Sequence, residues 1–321
     1  MVGLMPDYAM IIVGANMGVS RITKEHLGIA LALKVPIIVV ITKIDLSPAD
    51  ITQNTVKTIT NLLKSMEKFP TLIKAETQID EQVAFIDSDK TVPIFMVSNV
   101  TGDGINFLKL FLSKVKSRIK SNPLFKSPKD EVEFFVDGIY TPKGIGLVVA
   151  GTMLSGTVVV NDVLQLGPMK DGTFQLVAVR SIHHKRMQVS NAIAGQAVCF
   201  NIKAIKTKDV LTKDSFRKGM VLVAKSINPK ISWEFEADVV ILHHATTVQA
   251  NYQAVVHCGV IRQACKVMWI DKEVLRTGDK GKVKFKFMYN PEYLHTGMTI
   301  LFREGRTKGL GVISTILYPT K

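Results

Sequence analysis

Thr42-Lys43-Ile44-Asp45 follows an apolar run, Val35 to Ile41, of the kind that forms a strand buried on both faces of a parallel sheet. Open α/β sheets bind ligands at the C-terminal tips of such strands. An aspartate placed there can accept from both N1–H and N2–H of guanine, a donor edge that adenine lacks. A second polar cluster, Ser98-Asn99-Val100-Thr101-Gly102, ends another apolar run, Val92 to Val97. By itself such a cluster reads as a turn. Two clusters in this order, on two strand tips, read together as a base-binding pair. A means of holding phosphates does not accompany them. No G-x-x-x-x-G-K-[ST] loop occurs in the 321 residues, and Gly14 to Ser20 has neither its spacing nor its lysine.

The surrounding pattern predicts what positions these clusters. Ala9 to Ala15 is a continuous apolar strand candidate, read as buried. Thr23 can cap a helix whose apolar face holds Leu27, Ala30 and Leu31. Pro36 to Ile41 is the next strand, and Thr52 opens a second helix with Val56, Ile59, Leu62, Leu63 and Met66 on one face. Phe69 to Thr91 is less regular and more acidic, and reads as an insertion or loop. After the strand Val92 to Val97, Asp103-Gly104 turns into a helix carrying Ile105, Leu108, Leu112, Val115 and Ile119. Alternating strands and helices imply a parallel sheet with covering helices, about half of a doubly wound domain. The first strand begins so near Met1 that the N-terminal half of such a domain is expected to be missing.

Net charge is +14, with 41 Lys+Arg against 27 Asp+Glu, and most of the excess lies after Pro128. A basic surface of this kind favours RNA, DNA or anionic lipid; the alternative is a generally basic soluble surface. Cys199, Cys258 and Cys265 form no C-x-x-C pair, so neither a disulfide framework nor a zinc site is expected. A reducing, cytoplasmic setting follows. Tyr8 to Ala15 is too short to span a bilayer, and no membrane partner is expected.

Beyond the proline-bearing stretch Asn122 to Pro128, helical periodicity gives way to short β-like runs. They are Phe134–Ile139, Gly146–Met153, Val163–Gly167, Gln175–His183, Ala197–Ile202, Met220–Val223, Glu236–Leu242, Gln253–Val260, Val283–Met288 and Gly311–Ile316. Many short strands at close spacing suggest two small antiparallel barrels, divided near Ile231. Lys280, Lys282, Lys284 and Lys286 alternate with Gly281, Val283, Phe285 and Phe287, which puts the lysines on one strand face. They read either as a stripe contacting RNA phosphates or as a solvent face where lysine guards against aggregation. His183-His184 and His243-His244 point to opposite faces within strands and read as structural.

Several stretches together resemble translational GTPases of the elongation factor Tu / elongation factor 1-alpha type. Phe302 to Ile313 is similar to the Arg-Glu-Gly…Thr-x-Gly-x-Gly ending of domain III. Gly144 to Gly151 with Gly156, Gly195-Gln196-Ala197 and Phe216 to Val221 resemble parts of domain II. Cys258 to Gln263 and Pro291 to Leu294 resemble domain III. More narrowly, Phe235-Glu236-Ala237, His244 to Thr247, Leu275 to Gly278 and Glu292-Tyr293-Leu294 resemble the eukaryotic GTP-binding protein 1/2 subfamily.

The resemblance implies a P-loop-type G domain, here α/β and partial, followed by two antiparallel β-barrels. The expected division is residues 1–121, a linker at 122–130, domain II at 131–230 and domain III at 231–321. GTP or GDP is the implied cofactor, held through its base by Thr42, Lys43, Asp45, Ser98 and the Asn99 backbone, with Mg²⁺ in the full-length form. Lys43 would lie along the base and ribose, and Thr42 stands where the family usually has asparagine. Asp7 to His26 resembles the segment after switch II. The phosphate loop, switch I, the Asp-x-x-Gly element and its following histidine have no counterpart here, so no catalytic residue is assigned. Each lost charge-assisted hydrogen bond is worth roughly 1.5–3 kcal/mol. The chain alone is therefore expected neither to hydrolyse GTP nor to bind it at micromolar affinity. RNA, as tRNA, the ribosome or an mRNA-decay complex, is the implied partner. A non-catalytic RNA- or ribosome-binding module made of the two barrels is the alternative function.

Overall fold

The computed structural model describes residues 6–88, 90–118, 125–205, 215–243, 247–304 and 307–318. The linker residues Asn122-Pro123, His244 to Thr246 and the Gly305-Arg306 dipeptide lie outside them. Residues 6–118 form one compact unit and the barrels belong to a second.

The first unit runs β1 (Ala9–Gly14), α1 (Arg21–Ala32), β2 (Ile37–Thr42), α2 (Ala49–Ser65), β3 (Phe69–Leu72), α3 (Thr77–Phe85), β4 (Thr91–Met96) and α4 (Ile105–Lys114). The strands are parallel, in the order β1-β2-β4-β3. Ile37, Val39 and Ile41 pack with Leu27, Ile59 and Leu63 on one face, and Ile38 and Val40 with Ile79, Phe95 and Phe111 on the other. Burial on both faces is what a near-continuous aliphatic run requires.

Five expectations are corrected. Ser20, not Thr23, caps α1: its Oγ accepts from Thr23 N–H at 3.1 Å. The second helix opens at Ala49 behind Pro48, with Thr52 buried inside it. Phe69 to Thr91 is not irregular, because its short apolar pieces form β3, α3 and a 3-10 turn at Ile86–Ser88. The last helix stops at Lys114, where Val115 turns extended and Arg118 N–H bonds the Asp7 carboxylate at 2.6 Å. Edge strand β1 is buried on one face only, with Met10 and Ile12 exposed.

The second unit continues with β5 (Glu133–Tyr140), β6 (Leu147–Ser155), β7 (Thr157–Val159), β8 (Val163–Gly167), β9 (Gln175–His184), β10 (Met187–Val189), β11 (Asn191–Ile193), β12 (Ala197–Ala204) and β13 (Val221–Ala224). The ring β9-β12-β6-β5-β13-β8 closes through the β8–β9 pairing. Then come β14 (Glu234–His243), β15 (Gln253–Cys258), β16 (Ile261–Ile270), β17 (Lys280–Phe287), β18 (Thr299–Glu304) and β19 (Thr307–Leu317). They close as β14-β17-β16-β15-β18-β19. Closure removes the exposed edges of both sheets. The second half of the expected linker is already part of the first barrel: Lys126 N–H bonds Leu154 O at 2.8 Å and Thr157 Oγ1 bonds Pro128 O at 2.8 Å.

Two buried carboxylates join the barrels reciprocally. Arg217, just before β13, donates from Nη1 to both oxygens of Glu292, at 2.8 and 2.9 Å, and from Nη2 to Pro291 O at 2.9 Å. Gln263 of β16 adds a third bond to Glu292, 2.7 Å long. Burial pushes the Glu292 carboxyl up to about 7, against the pull of Arg217 and Gln263. In the other direction, Glu133 of β5 accepts from Tyr293 Oη at 2.9 Å and lies 3.4 Å from both Lys126 Nζ and His295 Nε2. Burial raises that carboxyl too, but His295, Tyr293 and Lys126 together hold it at about 2.

Candidate base-recognition site

β2 and β4 are hydrogen-bonded neighbours, with Ile41 in register with Met96 and Val97 N–H donating to Ile41 O at 2.8 Å. Thr42–Asp45 and Ser98–Gly102 therefore leave the same edge of the sheet side by side. On the other flank of β2, Ala15 N–H bonds Thr42 O at 2.8 Å, and Thr55 Oγ1 of α2 bonds Ala15 O at 3.1 Å. The turn after β1 is thus tied to the same edge.

Lys43 has φ +62, the left-handed region that non-glycine residues seldom enter. That conformation starts a turn closed by Leu46 N–H on Lys43 O at 3.2 Å. Lys43 and Asp45 are both exposed, and Thr42 is half-buried. Among the described residues, no group hydrogen-bonds the Asp45 carboxylate, so its acceptor oxygens face solvent as a two-point acceptor. A guanine edge is the complementary donor pair.

Ser98 lies at the inner side of its loop. It is fully buried, and its Oγ accepts from Val100 N–H and Thr101 N–H, each at 3.1 Å. Gly102 N–H bonds Ser98 O at 3.0 Å, and Thr101 Oγ1 bonds the Asp103 carboxylate at 2.8 Å. The hydroxyl shapes the loop rather than facing a ligand. Asn99 is exposed, and among the described residues its N–H has no hydrogen-bond acceptor. Gly104, φ +69, closes the loop against β4, where a Cβ would overlap the Met96 carbonyl oxygen. Replacing Ser98 by alanine leaves two N–H groups without their acceptor, at a cost of about 1–3 kcal/mol. Amide exchange at Val100 and Thr101 is the readout. Acceleration at both is expected, and unchanged protection would refute the serine-built loop.

Comparisons with known proteins give the family. The family model of the elongation factor Tu GTP binding domain matches residues 3–139, and that of elongation factor Tu domain 2 matches residues 146–223. GTP-binding protein 1 of Xenopus laevis is 45% identical over 322 residues, covering 100% of this chain and 48% of that protein. The chain belongs to the translational GTPase family. GTP-binding protein 2 of Homo sapiens is 40% identical over 315 residues, covering 97% of this chain and 51% of its own length. The chain thus spans about half the length of these curated relatives. Among solved structures, apo translation elongation factor SelB from Methanococcus maripaludis superposes with a TM-score of 0.71 at 21% identity. It covers 98% of this chain and 66% of its own, a likeness of fold.

Within this translational GTPase fold, the four lysines do lie on the outer face of β17, while Val283, Phe285 and Phe287 point inward. The neighbouring strand answers them: Lys286, Lys284 and Lys282 stand opposite Glu234, Glu236 and Asp238. Lys284 Nζ lies 2.7 Å from Glu234 Oε2 and Lys286 Nζ 3.3 Å from Oε1. Half of the stripe is therefore engaged inside the protein. His184 Nδ1 lies 2.9 Å from Ala197 O, while His183 lines a cavity that motif reading did not find. This cavity of about 610 Å³ opens on the outer wall of the first barrel, where Asp137, Lys185, Arg186, Cys199 and Asn201 also line it. Burial pushes the Asp137 carboxyl and the Cys199 thiol upward. Its residues come from distant strands with no shared spacing, so the sequence offers no signal for it. No helix among the described residues is long and apolar enough to cross a membrane.

Proposed function

We propose that this chain supplies the guanine-recognition half of a GTP-binding translation factor, with its barrels serving RNA partners. The observation that carries the reading is that the two loops leave neighbouring strand tips, one bearing the exposed Asp45 and the other the exposed Asn99. Family membership and the names of the relatives support guanine nucleotide as the ligand. In this reading the G-domain portion is 1–121, domain II runs to 230 and takes in the second half of the 122–130 stretch, and domain III is 231–321. Asp45 accepts from N1–H and N2–H of the base, Lys43 lies along its plane, and the loop built on Ser98 presents the Asn99 N–H to its oxygen. The residues discussed here hold and select the base. An RNA partner such as tRNA, the ribosome or an mRNA-decay complex accords with the relatives' names as elongation factors and with the net positive charge.

The test compares guanosine, inosine and adenosine monophosphates by ligand-observed NMR, a method suited to weak binding. Inosine lacks the 2-amino donor, so guanosine should bind more tightly by roughly tenfold, the worth of one charge-assisted bond. Asp45→Ala should erase that preference. An Asp45→Ala chain that still prefers guanosine would sink the assignment.

A further inference from the structure

The β16–β17 wall of the second barrel carries an irregularity that packing alone does not require. Val267 is in register with Phe285, but the next registered pair is Trp269 with Lys284, so Met268 is an extra residue in β16. The neighbouring inward positions, Val267, Ile270, Val283 and Phe285, are all buried. The bulge therefore puts two consecutive large side chains, Met268 at 40% and Trp269 at 49% exposure, on the outside. Bulges re-aim side chains in this way, and an exposed tryptophan leaves a large apolar face wet.

The surroundings are cationic. Trp269 stands opposite Lys284, and Lys266 stands opposite Lys286, a like-charge pair that disfavours the bare sheet. Further along the wall, His257 of β15 is paired with Arg262 of β16, and Arg303 lies on β18 at the other side of β15. Burial, then the charges of Arg303 and Arg262, press the His257 pKa down, which marks a positive field there. Arg262, Arg303 and Lys266 have no ion pair among the described residues. Carboxylates are present on β14, but they lie on the far side of β17, where Glu234 already engages Lys284 and Lys286.

We infer that this wall binds single-stranded RNA, with an unpaired base stacked on Trp269, an adjacent phosphate on Lys266, and the strand continuing along the wall toward Arg262. Stacking is sequence-tolerant because every base has a π face, and lysines beside an aromatic platform give the backbone its counter-charges. A folded acidic protein would match the charge, but an isolated, bulge-raised indole flanked by lysines suits a flat ring with phosphates on either side. The site shares no residue with the β2 and β4 loops, so its failure and the failure of the nucleotide reading are separately measurable.

The chain has only two tryptophans, Trp233 and Trp269, so indole fluorescence reports directly on the contact. A short fluorescent oligouridylate is titrated into the full chain, with anisotropy reading affinity and indole emission reading stacking. Wild-type emission should be quenched on saturation, and Trp269→Ala should weaken binding about tenfold. Trp269→Phe should retain most of the affinity without the quench. Lys266→Gln should lower the slope of log affinity against log salt by about 0.7. Guanine monophosphate binding, measured alongside, should be unchanged in all three variants. Undiminished affinity in Trp269→Ala, an unquenched wild type, or equal affinity for an RNA duplex would each overturn the proposal.

Discussion

Replacing Arg217 by methionine is expected to cost the second barrel about 3–5 kcal/mol near pH 8, because it strands a buried carboxylate. Glu292 is 1% exposed, and Arg217 supplies two of the three side-chain bonds to its oxygens. The loss should depend on pH with a definite sign. The folded pKa of Glu292, already raised to about 7 by burial, rises further without the guanidinium. A carboxyl raised in the folded state adds stability below its unfolded pKa, and that contribution is lost as pH rises through the folded one. The deficit should therefore be smallest near pH 4.5, grow through pH 7, and be larger by about 1.4 kcal/mol at pH 8, roughly one unit above the folded pKa. Both tryptophans lie in or beside the second barrel, so urea unfolding followed by their emission isolates the effect. Arg217→Met combined with Glu292→Leu should recover most of the loss, since no charge is then left buried. A deficit under about 1 kcal/mol, or one flat with pH, would show that Glu292 is not the desolvated partner assumed here.

Phe235→Ala should cost a similar amount, about 3–5 kcal/mol, by a different route. Phe235 is fully buried at the centre of the second barrel. Its ring stacks on Phe285 at 5.3 Å and 23°, and meets Phe287 at 5.2 Å. Closed β-barrels fill their interiors with side chains from facing strands, so no loop can fold inward to occupy the space. Truncation leaves a cavity in addition to the lost transfer free energy. Phe235→Leu keeps most of the volume and should lose much less. Unlike the Arg217 variant, the loss should be independent of pH between 5 and 8, because what is lost is ring packing against Phe285 and Phe287 rather than an ion pair. The same urea titration reads it, and a wild-type midpoint for Phe235→Ala would mean that the ring cluster does not anchor the barrel.

Much of the first unit was legible because its strands are uninterrupted aliphatic runs, which leave few alternatives to a doubly covered parallel sheet. The misreadings came where local cues compete. Thr23 and Ser20 are both good caps, and only the chain path selected Ser20. Phe69 to Thr91 carries short, diluted apolar pieces whose strand and helix form only against β4 and α4. In the barrels, β16 escaped a pattern search because a polar residue, Gln263, occupies one of its inward positions and the bulge at Met268 shortens the alternating run.

The sequence by itself determined the alternation of the main strands and helices of the first unit, the family, and the residue types at the two base loops, since these depend on local composition and spacing. It also marked Phe216 to Val221 and Pro291 to Leu294 as familiar without saying why they matter. Only the tertiary structure decided that Arg217 reaches Glu292 across 75 positions of chain, and Tyr293 reaches Glu133 across 160. It likewise turned Ser98 inward and Trp269 outward. Such outcomes depend on which strands become neighbours and in what register, and register is a property of pairing between distant segments rather than of either segment alone.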